Sequence, residues 1–337
     1  MMSRSKTQHK AGVNAVLVAV VVLVLAGSLG CAVEGSRRPR NTATGEAHGD
    51  NWAVIVSTSM YWYNYRHTSN ALVFYHTVKR LGIPDSNILL FLGEDHACNP
   101  RNRRPASIYS SAALQPSTAV YDEEIEVDFR GTEVTADTFI RVMTGRVSAK
   151  LPASKQLRSG PDSNIFVFMT GHGGVDFLKF RDTHVISGAE LGDMFYTMHE
   201  KRRYKQVLFI LETCHSESML EHIRSPNILS IGSSSKHEDS YSRSSSPELG
   251  VMMVDEFTGA SMPFLSQLTT QSRATAADYF AHVRRSRLTS HPVIRATTFP
   301  RSPAKVLLTD FLASTPVIWP LDDEIQQHLP TLALTTA

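Results

Sequence analysis

The chain has 337 residues, with 34 Lys+Arg against 32 Asp+Glu and a formal net charge of +2. That balance excludes a nucleic-acid binder that works by neutralising phosphates. A hydrophobic content of 42% with 20% charged residues excludes a wholly disordered chain. Three cysteines without paired metal-ligand spacing exclude a disulfide-stapled scaffold and a zinc ribbon or finger. The length allows one large domain or two medium ones, with a substantial core either way.

Arg4, Lys6 and Lys10 precede an apolar run from Ala11 to Ala26, and small residues follow at Gly27, Ser28, Gly30, Cys31 and Ala32. This is the order of a secretory signal peptide, assigned to residues 1–32, with an uncleaved anchor as the alternative. No later segment is apolar enough to span a bilayer, so the mature chain is expected in the secretory pathway without a span of its own. The mature chain has no Asn-x-Ser/Thr sequon. Residues 33–50 are polar and aperiodic and read as a flexible lead.

Trp52 to Thr58 is rich in β-branched residues and predicts a strand. Ala71, Phe74, Val78 and Leu81 have helical spacing, which predicts a helix over 70–82 ending at Gly82. Asn87 to Gly93 reads as a second buried strand, 94–119 as loop, Glu126-Val-Asp128 as a short strand and Thr135 to Thr144 as a helix. Asn164 to Thr170 predicts a strand running straight into Gly171-His172-Gly173-Gly174. Ser187-Gly-Ala-Glu190 is a capping box opening a helix through about Arg203. Gln206 to Leu211 is a strand that feeds Glu212-Thr213-Cys214-His215, and Asn227 to Gly232 is another. The serine-rich stretch 233–247 reads as loop, Thr275-Ala-Ala-Asp278 as a helix start, and Val306 to Phe311 as a last strand. The alternation predicts an α/β fold with a mostly parallel sheet, whose ligand site lies beyond the carboxyl ends of the strands.

His172 and Cys214 each follow such a strand, which puts an imidazole and a thiol on one rim. A cysteine nucleophile needs thiolate character, and a neighbouring imidazole supplies it as base or ion-pair partner. The glycines around His172 admit a substrate backbone, and the amides of Gly173 and Cys214 are candidate oxyanion donors. His215 is a rival base, but if the strand continues through it, its ring points away from the thiol. Asn64 lies just past the first strand, where its amide can orient a histidine ring, or it is an ordinary loop asparagine.

TGHGG at 170–174 and ETCHSES at 212–218 resemble the caspase-like cysteine peptidases of clan CD, in their legumain-related branch. ACNPRNRRPA (97–106), VKRLGIPDSNILLFL (78–92) and SPNILSIGSSSKHEDSYS (225–242) narrow the resemblance to catalytic subunits of GPI-anchor transamidases. It covers roughly residues 51–315. The resemblance implies a single caspase-like catalytic domain over 51–315, helices on both faces of the sheet, and a tail at 316–337 without a membrane helix. It implies a nucleophile at Cys214, a catalytic histidine at His172 and Asn64 completing a triad. Ser240 and Ser242 match positions lining the substrate groove, although residue by residue they read as solvated serines in a loop.

The implied activity is C13-type transamidation. A C-terminal attachment signal on a translocated proprotein is cleaved through a Cys thioester, and the acyl group passes to the ethanolamine amine of a GPI lipid. A legumain-like endopeptidase using water is the alternative. The implied setting is the endoplasmic reticulum lumen, attached to the membrane through the other subunits of a transamidase complex. One subunit would be disulfide-linked through Cys98. A reduced Cys214 agrees with that pairing, since it leaves Cys98 without a partner inside the mature chain. No cofactor is implied for catalysis and no nucleic-acid partner. A structural calcium is implied at Asp85, the Ile88 carbonyl, Glu126 and Asp128, whose oxygen-only donors suit a hard cation. The acidic run DEEIEVD (122–128) is otherwise a surface patch. Glu212 departs from the usual Asp before Thr-Cys, placing a longer carboxylate beside the nucleophile.

Overall fold

The computed structural model describes residues 50–122 and 124–314. The expected signal at 1–32, the lead up to residue 49 and the whole tail at 316–337 lie outside them. In chain order the strands are β1 (Asn51–Ser57), β2 (Ile88–Leu92), β3 (Phe129–Arg130), β4 (Asn164–Thr170), β5 (Gly173–Gly174), β6 (Phe177–Phe180), β7 (His184–Ser187), β8 (Gln206–Glu212), β9 (Ile228–Gly232), β10 (Ser242–Ser246), β11 (Val251–Asp255) and β12 (Val293–Arg295). The α-helices are α1 (Tyr65–Arg80), α2 (Ala136–Met143), α3 (Gly188–Glu200), α4 (Ser216–Leu220), α5 (Glu256–Gln267), α6 (Ala276–Arg285) and α7 (Thr309–Leu312).

Seven strands form one sheet in the order β12-β9-β8-β4-β1-β2-β3, parallel except for β12, which runs antiparallel to β9. β1, β2, β4, β8 and β9 read as continuous apolar runs because helices cover both faces. Side chains alternate between two cores. Ala53, Ile55, Phe166, Phe168, Leu208 and Ile210 pack on one face with α1, α5 and α6. Val54, Val56, Val167, Met169, Phe209 and Leu211 pack on the other with α2 and α3. The innermost strands are held in register from Asn51↔Asn164↔Gln206 to Ser57↔Thr170↔Glu212. From β1 the chain passes outward to β2 on one side, then returns to β4 and continues to β8 and β9 on the other. The order of strands therefore reverses between β1 and β4, the crevice where ligands bind in open parallel sheets.

The capping box at Ser187 and Glu190 forms as expected, and the helix start read at Thr275 proves to be closed by a second box with Asp278. Other expectations are corrected. The first helix starts at Tyr65, because Thr68, Ser69 and Asn70 are buried polar residues and hide the apolar period of its first turns. The short strand near Glu126 lies at Phe129–Arg130. Val306 to Phe311 contributes an isolated bridge from Leu307 to Thr275 and then α7, not a strand. Ser242–Ser246, expected as loop, pairs antiparallel with β11. The small sheet β5-β6-β7, the edge strand β12 and helix α5, with Pro263 inside it, carried no sufficient signal in the sequence.

Candidate active site

β4 ends at Thr170 and β8 at Glu212, which are register partners, and the Gly171 amide extends the pairing by donating to the Glu212 carbonyl at 3.3 Å. His172 and Cys214 therefore leave adjacent strand tips at the same level. Asn64 closes the turn after β1 and is fully buried. Its Oδ1 accepts a hydrogen bond from His172 Nε2 at 2.7 Å. The orientation of the amide is determined, because Nδ2 donates to the Met60 carbonyl at 2.8 Å, and a carbonyl can only accept. Nε2 of His172 therefore carries its hydrogen, and in the neutral ring Nδ1 is the basic nitrogen.

The thiol is half-buried, and the Ser240 backbone holds it: the Ser240 amide lies 3.4 Å from Sγ and the Ser240 carbonyl 3.9 Å. Among the described residues no hydrogen bond joins Cys214 to His172. Burial pushes the thiol up, reinforced by Asp239, against the Ser240 amide. Burial also pushes His172 down, reinforced by Arg66. Both shifts favour the neutral thiol and the neutral imidazole over an ion pair. Such a pair works by general-base transfer once a substrate aligns it, and catalytic hydrogen bonds commonly tighten only then.

Gly173 sits in a cradle. A Cβ there would stand 2.4 Å from Thr213 Oγ1 and 2.7 Å from the Phe177 carbonyl oxygen. Around the nucleophile, the amides of Thr213, His215 and Ser216 donate to Ser233, Glu238 and Ser234, whereas among the described residues the Cys214 amide has no acceptor. Strand alternation does not set the aim of His215, whose Nε2 lies 3.5 Å from Asp239 Oδ1. β8 has already ended, His215 adopts φ 53°, and its Nδ1 donates to the Lys236 carbonyl at 2.9 Å. Ser240 also accepts from Ser233 Oγ at 3.2 Å, and Ser242 opens β10 opposite Asp255. Both lie on the segment that reaches across Cys214.

Sequence reasoning missed a buried polar layer beneath this rim. Arg66 Nε donates to Asp255 Oδ1 at 3.0 Å and its terminal nitrogen approaches Asn64 Oδ1 at 3.4 Å. His67 lies edge-on to His172, with ring centroids 5.0 Å apart, and bonds Ser59 Oγ at 2.7 Å. Asn70 donates to Asp255 Oδ2 at 2.7 Å. Arg66 and His67 follow Asn64 directly in NYRH, and that proximity was the available signal. Asp255 ends a hairpin that the sequence did not announce. Glu212 belongs to this layer: its carboxyl accepts from the Thr258 amide and hydroxyl at 2.9 and 2.5 Å, and burial beside Asp255 pushes it up to about 8.

Away from the rim, Cys98 is exposed and its amide donates to Asp95 Oδ1. Asp85 accepts from Tyr75 Oη at 2.9 Å and pairs with Lys79. Asp128 accepts from the Leu90 amide, and burial together with Glu126 pushes it up to about 6. Tyr75 lies between Asp85 and the Glu126 backbone, so the structure brings these acidic residues to one region. Among the described residues no cluster of three or more His, Cys, Asp or Glu forms a metal cage.

A parallel sheet with helices on both faces, presenting a thiol, an imidazole and a carboxamide at its switch point, defines an α/β protein of the cysteine-peptidase class. The chain belongs to the peptidase C13 family, whose model matches residues 51–298. It is 47% identical over 267 residues to a GPI-anchor transamidase from Bos taurus, covering 79% of this chain and 67% of that one. It is 45% identical over 275 residues to a GPI-anchor transamidase from Saccharomyces cerevisiae, covering 82% and 66%. The match thus spans about two thirds of the length of these relatives. Among solved structures, caspase-1 from Spodoptera frugiperda aligns over 82% of this chain and 97% of its own, with a TM-score of 0.45 and 11% identity.

Proposed function

We propose that the chain is the catalytic subunit of a GPI-anchor transamidase, with Cys214 as nucleophile, His172 as base and Asn64 as the group that orients the imidazole. The observation that carries the reading is the 2.7 Å Asn64–His172 hydrogen bond at the switch point, beside the strand tip that bears Cys214, in a chain so similar to named transamidases. His172 Nδ1 takes the thiol proton as Sγ swings from the Ser240 carbonyl to attack the carbonyl of a small residue upstream of a C-terminal attachment signal. The free Cys214 amide, with that of Gly173, stabilises the tetrahedral oxyanion. The C–N bond breaks, the leaving amine takes the proton from His172, and a thioester remains. The ethanolamine amine of a GPI lipid then attacks. His172 accepts its proton, the C–S bond breaks and the thiolate is reprotonated. Ser240 and Ser242 border the bound polypeptide. Neutral resting groups suit this scheme, since each half-reaction needs the imidazole first as base and then as acid.

The setting follows from the same reading: the endoplasmic reticulum, within a membrane-bound complex, with exposed Cys98 available for a disulfide to a partner subunit. Among the described residues no helix is long and apolar enough to cross a membrane. A structural calcium at Asp85, the Ile88 carbonyl, Glu126 and Asp128 is part of the proposal. The buried Asp128 carboxyl, pushed up beside Glu126, fits a site that a cation completes.

The test is hydrazine capture. Membranes translocating a tailed proprotein are supplied with hydrazine, and the released protein is analysed by mass. Transfer predicts the C-terminal hydrazide. Cleavage that yields only the free acid, insensitive to amine, would make the enzyme a legumain-like endopeptidase instead. Full anchor attachment by Cys214→Ala would remove the enzymatic reading altogether.

A further inference from the structure

Asn64 hangs from a strained turn. Tyr61 has φ 72° and ψ 146°, a conformation that is essentially glycine's alone. Both of its backbone polar groups are held by the loop that follows β2. Its N–H donates to Glu94 Oε2 at 3.0 Å, and its carbonyl accepts from His96 Nε2 at 3.0 Å. That carbonyl also accepts from the Asn64 N–H at 3.0 Å, and the preceding Met60 carbonyl takes the Asn64 side-chain amide. Two successive carbonyls thus set the backbone and the side chain of Asn64.

The clamp is itself fixed. His96 is buried, and its Nδ1 lies 2.8 Å from Thr68 Oγ1 in α1. Because the Tyr61 carbonyl can only accept, Nε2 carries the hydrogen and Nδ1 receives the Thr68 hydroxyl. Burial lowers the His96 pKa, which keeps this tautomer neutral. The buried Asn102 amide pins the loop by donating to the carbonyls of His96, Ala97 and Ser107. Strained residues persist only where their surroundings over-determine them, and here the surroundings are two named side chains.

We propose that Glu94 and His96 are positioning residues for the reaction: they hold Tyr61 in its strained conformation, and that conformation aims Asn64 at His172. The proposal rests on the roles assigned to Cys214, His172 and Asn64 above. A merely structural role would be to hold the 94–98 loop in place. The two roles differ in what glycine at position 61 does. Glycine adopts the required φ and ψ unaided, so it relieves the need for a clamp but does nothing for a loose loop.

The experiment uses the full chain in its membrane complex. Turnover and KM are measured for a tailed proprotein, and iodoacetamide labelling of the Cys214 peptide is followed by mass spectrometry. Glu94→Ala is expected to lower turnover by about tenfold or more with KM within about twofold, since small displacements of aligned groups act on the chemical step. It should slow labelling of Cys214 to a similar degree. Glu94→Gln keeps an acceptor oxygen and should stay within about threefold of the parent. Tyr61→Gly placed in the Glu94→Ala background should restore turnover to within about threefold. If Glu94→Ala does not assemble, His96→Ala carries the same expectation and the same rescue. Turnover unchanged in Glu94→Ala overturns the proposal. So does a loss that Tyr61→Gly leaves in place. Transfer that survives Cys214→Ala would sink the underlying reading instead, and the labelling arm would still report whether Glu94 and His96 set the geometry around Cys214.

Discussion

The most direct test of the site is removal of the Asn64 carboxamide. Asn64→Ala deletes the acceptor 2.7 Å from His172 Nε2 and leaves that N–H, in a mostly buried ring, without its partner. An orphaned buried donor costs about 1–3 kcal/mol. If the ring escapes that cost by rotating, the resting geometry becomes a minor population, and every 1.36 kcal/mol is a factor of about ten in rate. Turnover should therefore fall by roughly 10- to 100-fold with KM little changed, and labelling of Cys214 by iodoacetamide should slow in parallel. Asn64→Asp separates orientation from charge. A carboxylate at the same place stabilises the imidazolium, so the His172 pKa rises from its lowered position. A base must be neutral to act, so the acid limb of the pH–rate profile should move to higher pH in Asn64→Asp. Unchanged turnover in Asn64→Ala, or an acid limb moving to lower pH in Asn64→Asp, would refute the assignment of Asn64 as the ring's partner.

Other consequences follow from the same geometry. Gly173→Ala places a Cβ against Thr213 Oγ1 and the Phe177 carbonyl; overpacking of about 1–3 kcal/mol should lower Tm, with turnover falling further than stability alone explains, as thermal melts and initial rates will show. In His172→Ala the thiol loses its base while Cys214 stays pushed up by burial, so labelling of Cys214 should need a pH above the ordinary thiol range, checked by a labelling–pH series. The folded state holds a proton on Glu212 up to about 8. The stability linked to that proton is complete below the unfolded value near 4.5 and is lost as pH rises through about 8. Glu212→Gln should therefore gain Tm relative to the parent as pH rises across that window, and a Tm difference independent of pH would contradict it. Calcium should raise the parent's Tm, and Asp128→Asn should abolish the increment, read by melts with calcium and with chelator.

The strands at the centre of the sheet were legible because each is a short, uninterrupted apolar run, which a strand buried on both faces must be. From Asn164–Thr170 and Gln206–Glu212 alone it follows that His172 and Cys214 emerge at one rim, since parallel strands end on the same side. Local chemistry likewise announced the capping box at Ser187 and the helix start at Thr275, whose partners lie three residues away. Elements whose partners are distant stayed hidden. β10 is a run of serines that becomes a strand only by pairing with β11, and α5 contains a proline. Asn64 was readable as a candidate, but not its orientation, which the Met60 carbonyl decides. The protonation of the thiol and imidazole was beyond reach as well. It depends on how deeply each is buried and on where Arg66 and Asp239 stand, and those are distances between segments far apart in the chain. Residue type and period determine which atoms are available at the strand tips, whereas the packing of separate segments decides their charge, their aim and the strain that holds them.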